Sequence, residues 1–274
     1  MRPERTDIAA PELTQRVRWV NGRPPRRMSE LLDTRPVLVH FFDFAHLNSR
    51  RALPYLLAWH ERYADAGLTV LGAHSPRFPF TAEREKLAAA VERIGIGYAV
   101  ADDSRYDLWQ DYGCRGWPSL FLWGLEGTLR WFHFGEGEYA GTEEAIREEL
   151  RRRDRDAELP APLEPLRPED APGALVAPPS EEVFPGGSPS EPWRPSGDSD
   201  SLEIEYAAGG AYASLDGTGE LLVAIDGQAP RSIEVHAPGL YELTSDDRHS
   251  SHHLRLELEG ELALYSVSFA AAIP

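Results

Sequence analysis

The chain has 274 residues, of which 42% are hydrophobic, so it is long enough for two ordinary domains that each bury a core. Its net charge of -17 is uneven, because residues 1–160 carry a net charge of -2 and residues 161–274 carry -15. An acidic second half argues against nucleic acid and anionic membrane as partners, since both are polyanions.

The N-terminal residues 1–7 are not followed by an apolar stretch. Nowhere does the chain approach the roughly 18 consecutive apolar residues that a membrane helix needs. We therefore expect no signal peptide, no membrane anchor and a cytoplasmic protein. The single cysteine excludes an intramolecular disulfide and a cysteine-based metal cluster within the chain.

Strand and helix patterns alternate through residues 1–158. Apolar runs predict strands at 37–42, 68–73 and 98–101, and a hairpin of 119–123 and 128–132. Helices are predicted at 48–66, at 83–94 with Gly95 as the C-cap, and from Thr142 as the N-cap through Leu150. This order predicts an α/β domain of the thioredoxin type, with a central mixed sheet flanked by helices.

Residues 159–195 contain 11 of the 23 prolines, which predicts a semi-extended linker because proline cannot continue a helix or a central strand. Its apolar residues Leu175, Val176, Val183 and Phe184 can still dock on a domain surface. Short alternating segments then predict an all-β, jelly-roll-like sandwich over residues 196–274. The predicted strands are 202–206, 221–225, 232–235, 239–243, 254–258 and 262–269.

A histidine-rich tract, residues 248–253, falls between two of these predicted strands. It resembles a metal-binding tract in composition only, and we interpret it as a polar loop. The first domain also contains His40, His60, His74 and His133, and we interpret most of them as structural. The sequence predicts no metal site and no cofactor, since no zinc signature and no glycine-rich phosphate loop is present.

Several segments of the sequence resemble segments of one known family and occur in the same order. They are residues 51–59, 70–76, 112–118 and 133–139, followed by 225–230 and 239–243. They resemble DipZ-like proteins, a branch of the TlpA/thioredoxin redoxins, over most of residues 14–155 and more loosely over 193–270. The resemblance implies a thioredoxin-like domain with an active-site helix kinked at Pro54, and a β-sandwich similar to a carbohydrate-binding module, for which a saccharide is a candidate ligand.

The chain departs from this family at its reactive site. His46 and Ser49 stand where the resemblance places the two cysteines of Cys-x-x-Cys, so neither the attacking thiolate nor the resolving thiol is present. The positive end of the helix dipole disfavours a cation there, so we expect a neutral His46 imidazole. We interpret it as a polar residue filling a vestigial redox site, and Ser49 as a helix cap, although ligation or weak base chemistry by His46 stays open.

Trp117 and Pro118 match the loop whose proline is cis in this family. The resemblance implies that the residue before this proline offers its backbone to an extended peptide, which needs no sulfur. The alternative is that the turn alone requires the proline. Cys114 is either a small buried hydrophobic residue or a lone reactive thiol whose pKa Arg115 depresses.

The sequence thus predicts a thioredoxin-like protein without the redox dithiol that binds a protein or peptide through Trp117 and Pro118. The alternative hypothesis is a thiol-dependent oxidoreductase or peroxidase-like enzyme that uses Cys114, its one candidate catalytic residue, with an external thiol. Whether the protein is an enzyme is left open by the sequence.

Overall fold

The computed structural model describes residues 1–5, 7–13, 17–22, 27–195 and 200–274. These residues belong to two structural units. The first unit consists of Met1–Phe44, Asn48–Pro76 and Thr81–Leu166. The second consists of Arg167–Pro274 together with two short segments from earlier in the chain, Ala45–Leu47 and Arg77–Phe80.

The first unit contains a six-stranded mixed sheet with the order β1-β4-β3-β2-β5-β6. Strands β2, β3 and β4 are parallel to one another, and β5 pairs antiparallel with both β2 and β6. Every side chain of β2 is buried, because a strand in the middle of a sheet covered on both faces needs a continuous apolar run. The strands are β1 (Arg18–Trp19), β2 (Val37–Phe42), β3 (Thr69–His74), β4 (Val100–Asp102), β5 (Ser119–Trp123) and β6 (Leu129–Phe134).

Five α-helices are assigned in the described residues. The predicted C-cap of α3 is confirmed, since Gly95 adopts the left-handed conformation with φ 79°. The predicted start of α5 is wrong: Thr142 lies inside this helix, where its hydroxyl donates to the carbonyl oxygen of Glu138 at 2.8 Å. No helix in the described ranges is long and apolar enough to cross a membrane. The helices are α1 (Met28–Leu32), α2 (Leu47–Tyr63), α3 (Arg84–Ile94), α4 (Asp107–Asp111) and α5 (Tyr139–Arg153).

The second unit is an antiparallel β structure of the sandwich type, with a five-stranded sheet in the order β11-β7-β10-β8-β9. Its core consists of alternating inward side chains such as Leu215, Leu256 and Val267, which are fully buried. The strands are β7 (Leu202–Asp216), β8 (Gly219–Ile225), β9 (Arg231–Val235), β10 (Gly239–Gly260) and β11 (Ala263–Ala270).

The histidine-rich tract is not a loop, so that prediction is wrong. Residues 248–253 lie within the 22-residue strand β10, which joins two of the predicted strands. Register shifts between Glu242 and Thr244 and between Ser245 and Ser250 divide its pairing with β7 into three stretches. The extra residues at such a bulge bend a strand without ending it, and the local polar composition hides the continuity.

The proline-rich segment is ordered and extended. Val183 exchanges two backbone hydrogen bonds of 2.9 Å with Val267 on β11, and Trp193 pairs in the same way with Leu264. Both side chains pack against the core of the second unit. The units divide at Leu166 and Arg167, inside the predicted linker of residues 159–195, and residues 196–199 of the predicted sandwich domain lie outside the described residues. The three-part division therefore stays a prediction.

Candidate functional site

The turn that holds His46 and Ser49 follows β2 and leads into α2. Ser49 lies in the first turn of α2 instead of at its cap, and its hydroxyl accepts the N–H of Asp43 at 3.2 Å. The Asp43 carboxylate in turn accepts the Thr81 hydroxyl at 2.5 Å. Asp43, Ser49 and Thr81 are completely buried, so their polar groups hold the turn together from inside.

His46 belongs to the second unit. Burial, helped by the positive charge of Arg77, lowers the pKa of His46 to about 3. The imidazole is therefore neutral near pH 7, as expected, although the main cause is burial and not the helix dipole. Within the same unit, the neighbouring Ala45 carbonyl oxygen accepts the Ser214 hydroxyl at 2.8 Å, and Arg77 pairs with Glu182 at 2.6 Å.

The proline loop between α4 and β5 is rigidly held. The peptide bond between Trp117 and Pro118 is cis. The Pro118 carbonyl oxygen accepts the N–H of Gly135 at 2.7 Å, and the indole N–H of Trp117 donates to the Ser75 carbonyl oxygen at 2.7 Å. The Ser119 hydroxyl closes the loop by donating to the Gly116 carbonyl oxygen at 2.6 Å.

Aromatic rings surround this loop on the surface of the first unit. The ring centroids of Trp109 and Trp117 are 4.5 Å apart, and Tyr106 packs edge-on against Trp109 at 6.1 Å. All three side chains are partly exposed. The guanidinium of the exposed Arg115 lies 6.0 Å from the ring centroid of Phe134. We call Tyr106, Trp109, Arg115, Trp117 and Phe134 the aromatic surface.

One buried carboxylate supports the aromatic surface from below. Asp103 accepts the N–H groups of Leu108 and Trp109 at 2.9 and 3.0 Å, so it caps the N-terminus of α4. It also accepts the Ser75 hydroxyl at 2.7 Å. Burial is the largest effect on Asp103 and raises its pKa, although these hydrogen bonds oppose the shift. The sequence analysis missed Tyr106, Trp109 and Asp103, because the five-residue helix α4 is too short to show a period.

Cys114 lies at the start of the loop and is partly buried. Burial raises the pKa of this thiol above its ordinary value, and the nearby Asp103 carboxylate adds to the increase. A hydrogen bond with Ser119 lowers it by less. Cys114 is therefore a protonated thiol near pH 7, which is the opposite of an activated nucleophile.

Two further histidines lie completely buried beneath the turn. His40 stacks on Phe42 with centroids 5.0 Å apart, and His74 stacks on Phe44 at 5.3 Å. Burial lowers both pKa values, to about 3 for His40. Their ring nitrogens have no hydrogen-bond partner among the described residues. Among the described residues, no group of three or more histidine, cysteine or acidic residues is arranged to hold a metal ion.

The sheet order, the strand–turn–helix at residues 41–56 and the loop with the cis proline together define a protein with a thioredoxin-like fold. No protein-family model matches the chain. It is 27% identical over 297 aligned residues to Protein DipZ of Mycobacterium tuberculosis, covering 95% of this chain and 42% of that protein. It is 26% identical over 125 residues to thiol-disulfide oxidoreductase YkuV of Bacillus subtilis, covering 46% of this chain and 82% of the relative.

Among solved structures, a thiol-disulfide isomerase from Corynebacterium glutamicum aligns with 23% identity and a TM-score of 0.46, covering 52% of this chain and 96% of its own. The chain spans less than half the length of the DipZ proteins that it matches. Its sequence is similar to that of the DipZ/TlpA-like redoxins.

Proposed function

We propose that this chain is a redox-inactive, protein- or peptide-binding member of its family. The observation that carries the proposal is the partly exposed pair Trp109 and Trp117, held at 4.5 Å beside the cis proline in a loop with fixed hydrogen bonds. Exposed aromatic side chains on a rigid support are favourable anchors for a partner, because little side-chain entropy is lost on binding.

The chemistry of the redox-active relatives does not transfer to this chain. Dithiol–disulfide exchange needs two thiols, and the sequence contains one. That single thiol, Cys114, has a raised pKa and no second cysteine within the chain to resolve a mixed disulfide. What the chain keeps is the loop, and a loop recognises a partner without sulfur.

The expected ligand is an extended peptide that pairs with the backbone before Pro118. Main-chain hydrogen bonds then provide affinity, and side-chain contacts with the aromatic surface provide selectivity. Arg115 adds a positive charge at the edge of this surface, so we expect peptides with an apolar or aromatic residue next to an acidic one.

A random peptide library displayed on phage and selected against the whole chain tests the proposal. Selected peptides are then synthesised and titrated by calorimetry. We expect micromolar binding that Trp117→Ala weakens by about tenfold, since aromatic anchors typically carry 1 to 2 kcal/mol or more. Trp193→Ala, a change in the second unit, is the matched control. Peptides that bind Trp117→Ala as well as the unaltered chain would refute this site.

The alternative function is a monothiol enzyme that uses Cys114. The partly buried, protonated thiol argues against it, and insulin reduction with dithiothreitol tests it directly. We expect no turnover above the background of dithiothreitol alone. Turnover by the unaltered chain that is absent in Cys114→Ser would refute the binding proposal and support the monothiol enzyme.

Three finer statements belong to the same proposal. The predicted boundaries, with a first domain at 1–158 and a sandwich at 196–274, are tested by limited proteolysis. A cytoplasmic location, supported by the absence of any disulfide pair in the sequence, is tested by cell fractionation. A saccharide ligand for the sandwich rests on the family resemblance and is tested on a glycan array.

A further inference from the structure

An open cleft of about 450 Å³ lies at one end of the sheet of the second unit. Its described lining residues include two carboxylates, Glu205 and Asp226, and neither lysine nor arginine. Two more carboxylates lie just behind its histidines: Asp246 is 3.4 Å from the His252 ring, and Glu203 is 3.6 Å from the His253 ring. The cleft is therefore strongly acidic in a unit that is itself acidic.

Asp226 is held in place by its neighbours. Its carboxylate accepts the N–H of His253 at 2.8 Å and lies 2.8 Å from Nδ1 of His252. The other ring nitrogen of His252 lies 2.8 Å from the Ser250 hydroxyl oxygen. Asp226 adopts φ 53°, a left-handed conformation that aspartate tolerates and that aims the turn after β8 at β10. Asp226 lines the cleft, and a carboxylate fixed in this way keeps acceptor positions for a ligand, since four are available and two are used.

One buried polar group on the wall of this cleft lacks a hydrogen-bond partner among the described residues. It is the hydroxyl of Tyr206, a residue that is only 4% exposed. Burial raises the pKa of this hydroxyl, and the negative charges of Asp246 and Asp226 add to the increase. A buried hydroxyl without a partner is costly unless a ligand supplies one.

We propose that this cleft binds an alkylammonium group, either a free amine or the side chain of a lysine. An ammonium group offers three N–H donors and one positive charge, which matches an acidic cleft whose acceptors outnumber its donors. The Tyr206 ring, stacked at 4.7 Å on Phe269, provides a fixed aromatic wall beside the cation. The site is independent of the aromatic surface of the first unit.

The test uses the whole chain, labelled with nitrogen-15, in a nuclear magnetic resonance titration. The probes are cadaverine and a blocked Gly-Lys-Gly peptide, with the ε-acetylated peptide as the uncharged control. We expect saturable shifts centred on Asp226 and His252, with a dissociation constant of about 1–10 mM that rises with salt. The acetylated peptide should cause no such shifts. Comparing the two charged probes distinguishes a free amine from a lysine side chain.

Three variants separate a built site from general attraction to an acidic surface. Asp226→Asn should weaken binding by about tenfold, and Tyr206→Phe by a few-fold, because each removes one acceptor. Glu259→Gln removes an equal charge from β10 at a residue that does not line the cleft, and it should leave binding unchanged. Because Tyr206→Phe keeps the ring stacked on Phe269, this variant still tests the site if Asp226→Asn fails to fold. Shifts that do not saturate by about 50 mM, or an equal loss in Glu259→Gln, would overturn the proposal.

Discussion

The turn at residues 43–49 and the proline loop differ in how much of their side chains they expose. In the turn, Asp43 and Ser49 are completely buried, and the Asp43 backbone N–H donates to the Ser49 hydroxyl. In the loop, Trp117 stays partly exposed and packs against Trp109. The comparison teaches that redox chemistry depends on two particular side chains, whereas recognition depends on backbone shape and packed rings. The turn has histidine and serine at positions 46 and 49, and the loop holds two packed tryptophan rings.

Introducing a pair of cysteines into the turn gives the largest expected effect. In a Cys114→Ala background, His46→Cys with Ser49→Cys should form an intramolecular disulfide, because residue 46 directly precedes the N-terminus of α2, where the dipole stabilises a thiolate. The measurement is mass spectrometry after equilibration in glutathione buffers. The chain with Cys114→Ala alone is the control. Two thiols that stay unpaired under oxidising conditions would show that more than two side chains separate this turn from an active one.

Removing the support of the loop has the next largest effect. Asp103→Ala eliminates three recorded hydrogen bonds, to Ser75, Leu108 and Trp109. We expect the free energy of unfolding to fall by about 3 kcal/mol in urea denaturation, since a buried cap and its donors are lost together. Asp107→Ala, at a more exposed position of α4, should cost about 0.5 kcal/mol or less. Equal costs for both would mean that Asp103 does not organise the loop.

Acid should destabilise the region beneath the turn. The pKa of buried His40 is lowered to about 3, whereas an unfolded histidine titrates near 6.5. Between these values the unfolded chain binds the extra proton, so stability falls as the pH drops below 6.5. The titration of His40 alone should lower the free energy of unfolding by about 2 kcal/mol between pH 7 and pH 5.

The measurement is urea denaturation at both pH values for the unaltered chain and for His40→Leu. Between pH 7 and pH 5, the free energy of unfolding of His40→Leu should fall by about 2 kcal/mol less than that of the unaltered chain. This difference does not depend on the stability of the variant at pH 7. His236→Leu, at a residue that is 80% exposed in its side chain, is the matched control. The same acid loss in His40→Leu as in the unaltered chain would contradict the buried, neutral imidazole.

The smallest effect is expected at Cys114. Its raised pKa predicts that iodoacetamide labels the native thiol at pH 8 far more slowly than the denatured one, as followed by mass spectrometry. Cys114→Ala should lower the free energy of unfolding by about 1 kcal/mol, because only a small, partly buried side chain is removed. Rapid labelling of the folded chain would instead favour the monothiol alternative.

The strands and helices with strong local signals could be predicted from the sequence. The all-apolar strand Val37–Phe42 and the glycine that ends α3 show why: each depends on neighbours in the chain, and each is read from composition and spacing. The short helix α4 could not be predicted because five residues are too few to show a helical period. The continuous strand β10 could not be predicted because its pairing partner β7 lies far along the chain.

For the candidate site, the sequence by itself determined what chemistry is absent, since one cysteine cannot form a dithiol whatever the fold. It also located the Trp117–Pro118 loop by its order among other blocks. Only the tertiary structure decided the state of the remaining groups. Burial keeps His46 neutral and Cys114 protonated, and ring packing brings Trp109 to Trp117. Ionisation and exposure depend on the surrounding atoms in space, and residues distant in the sequence provide those atoms.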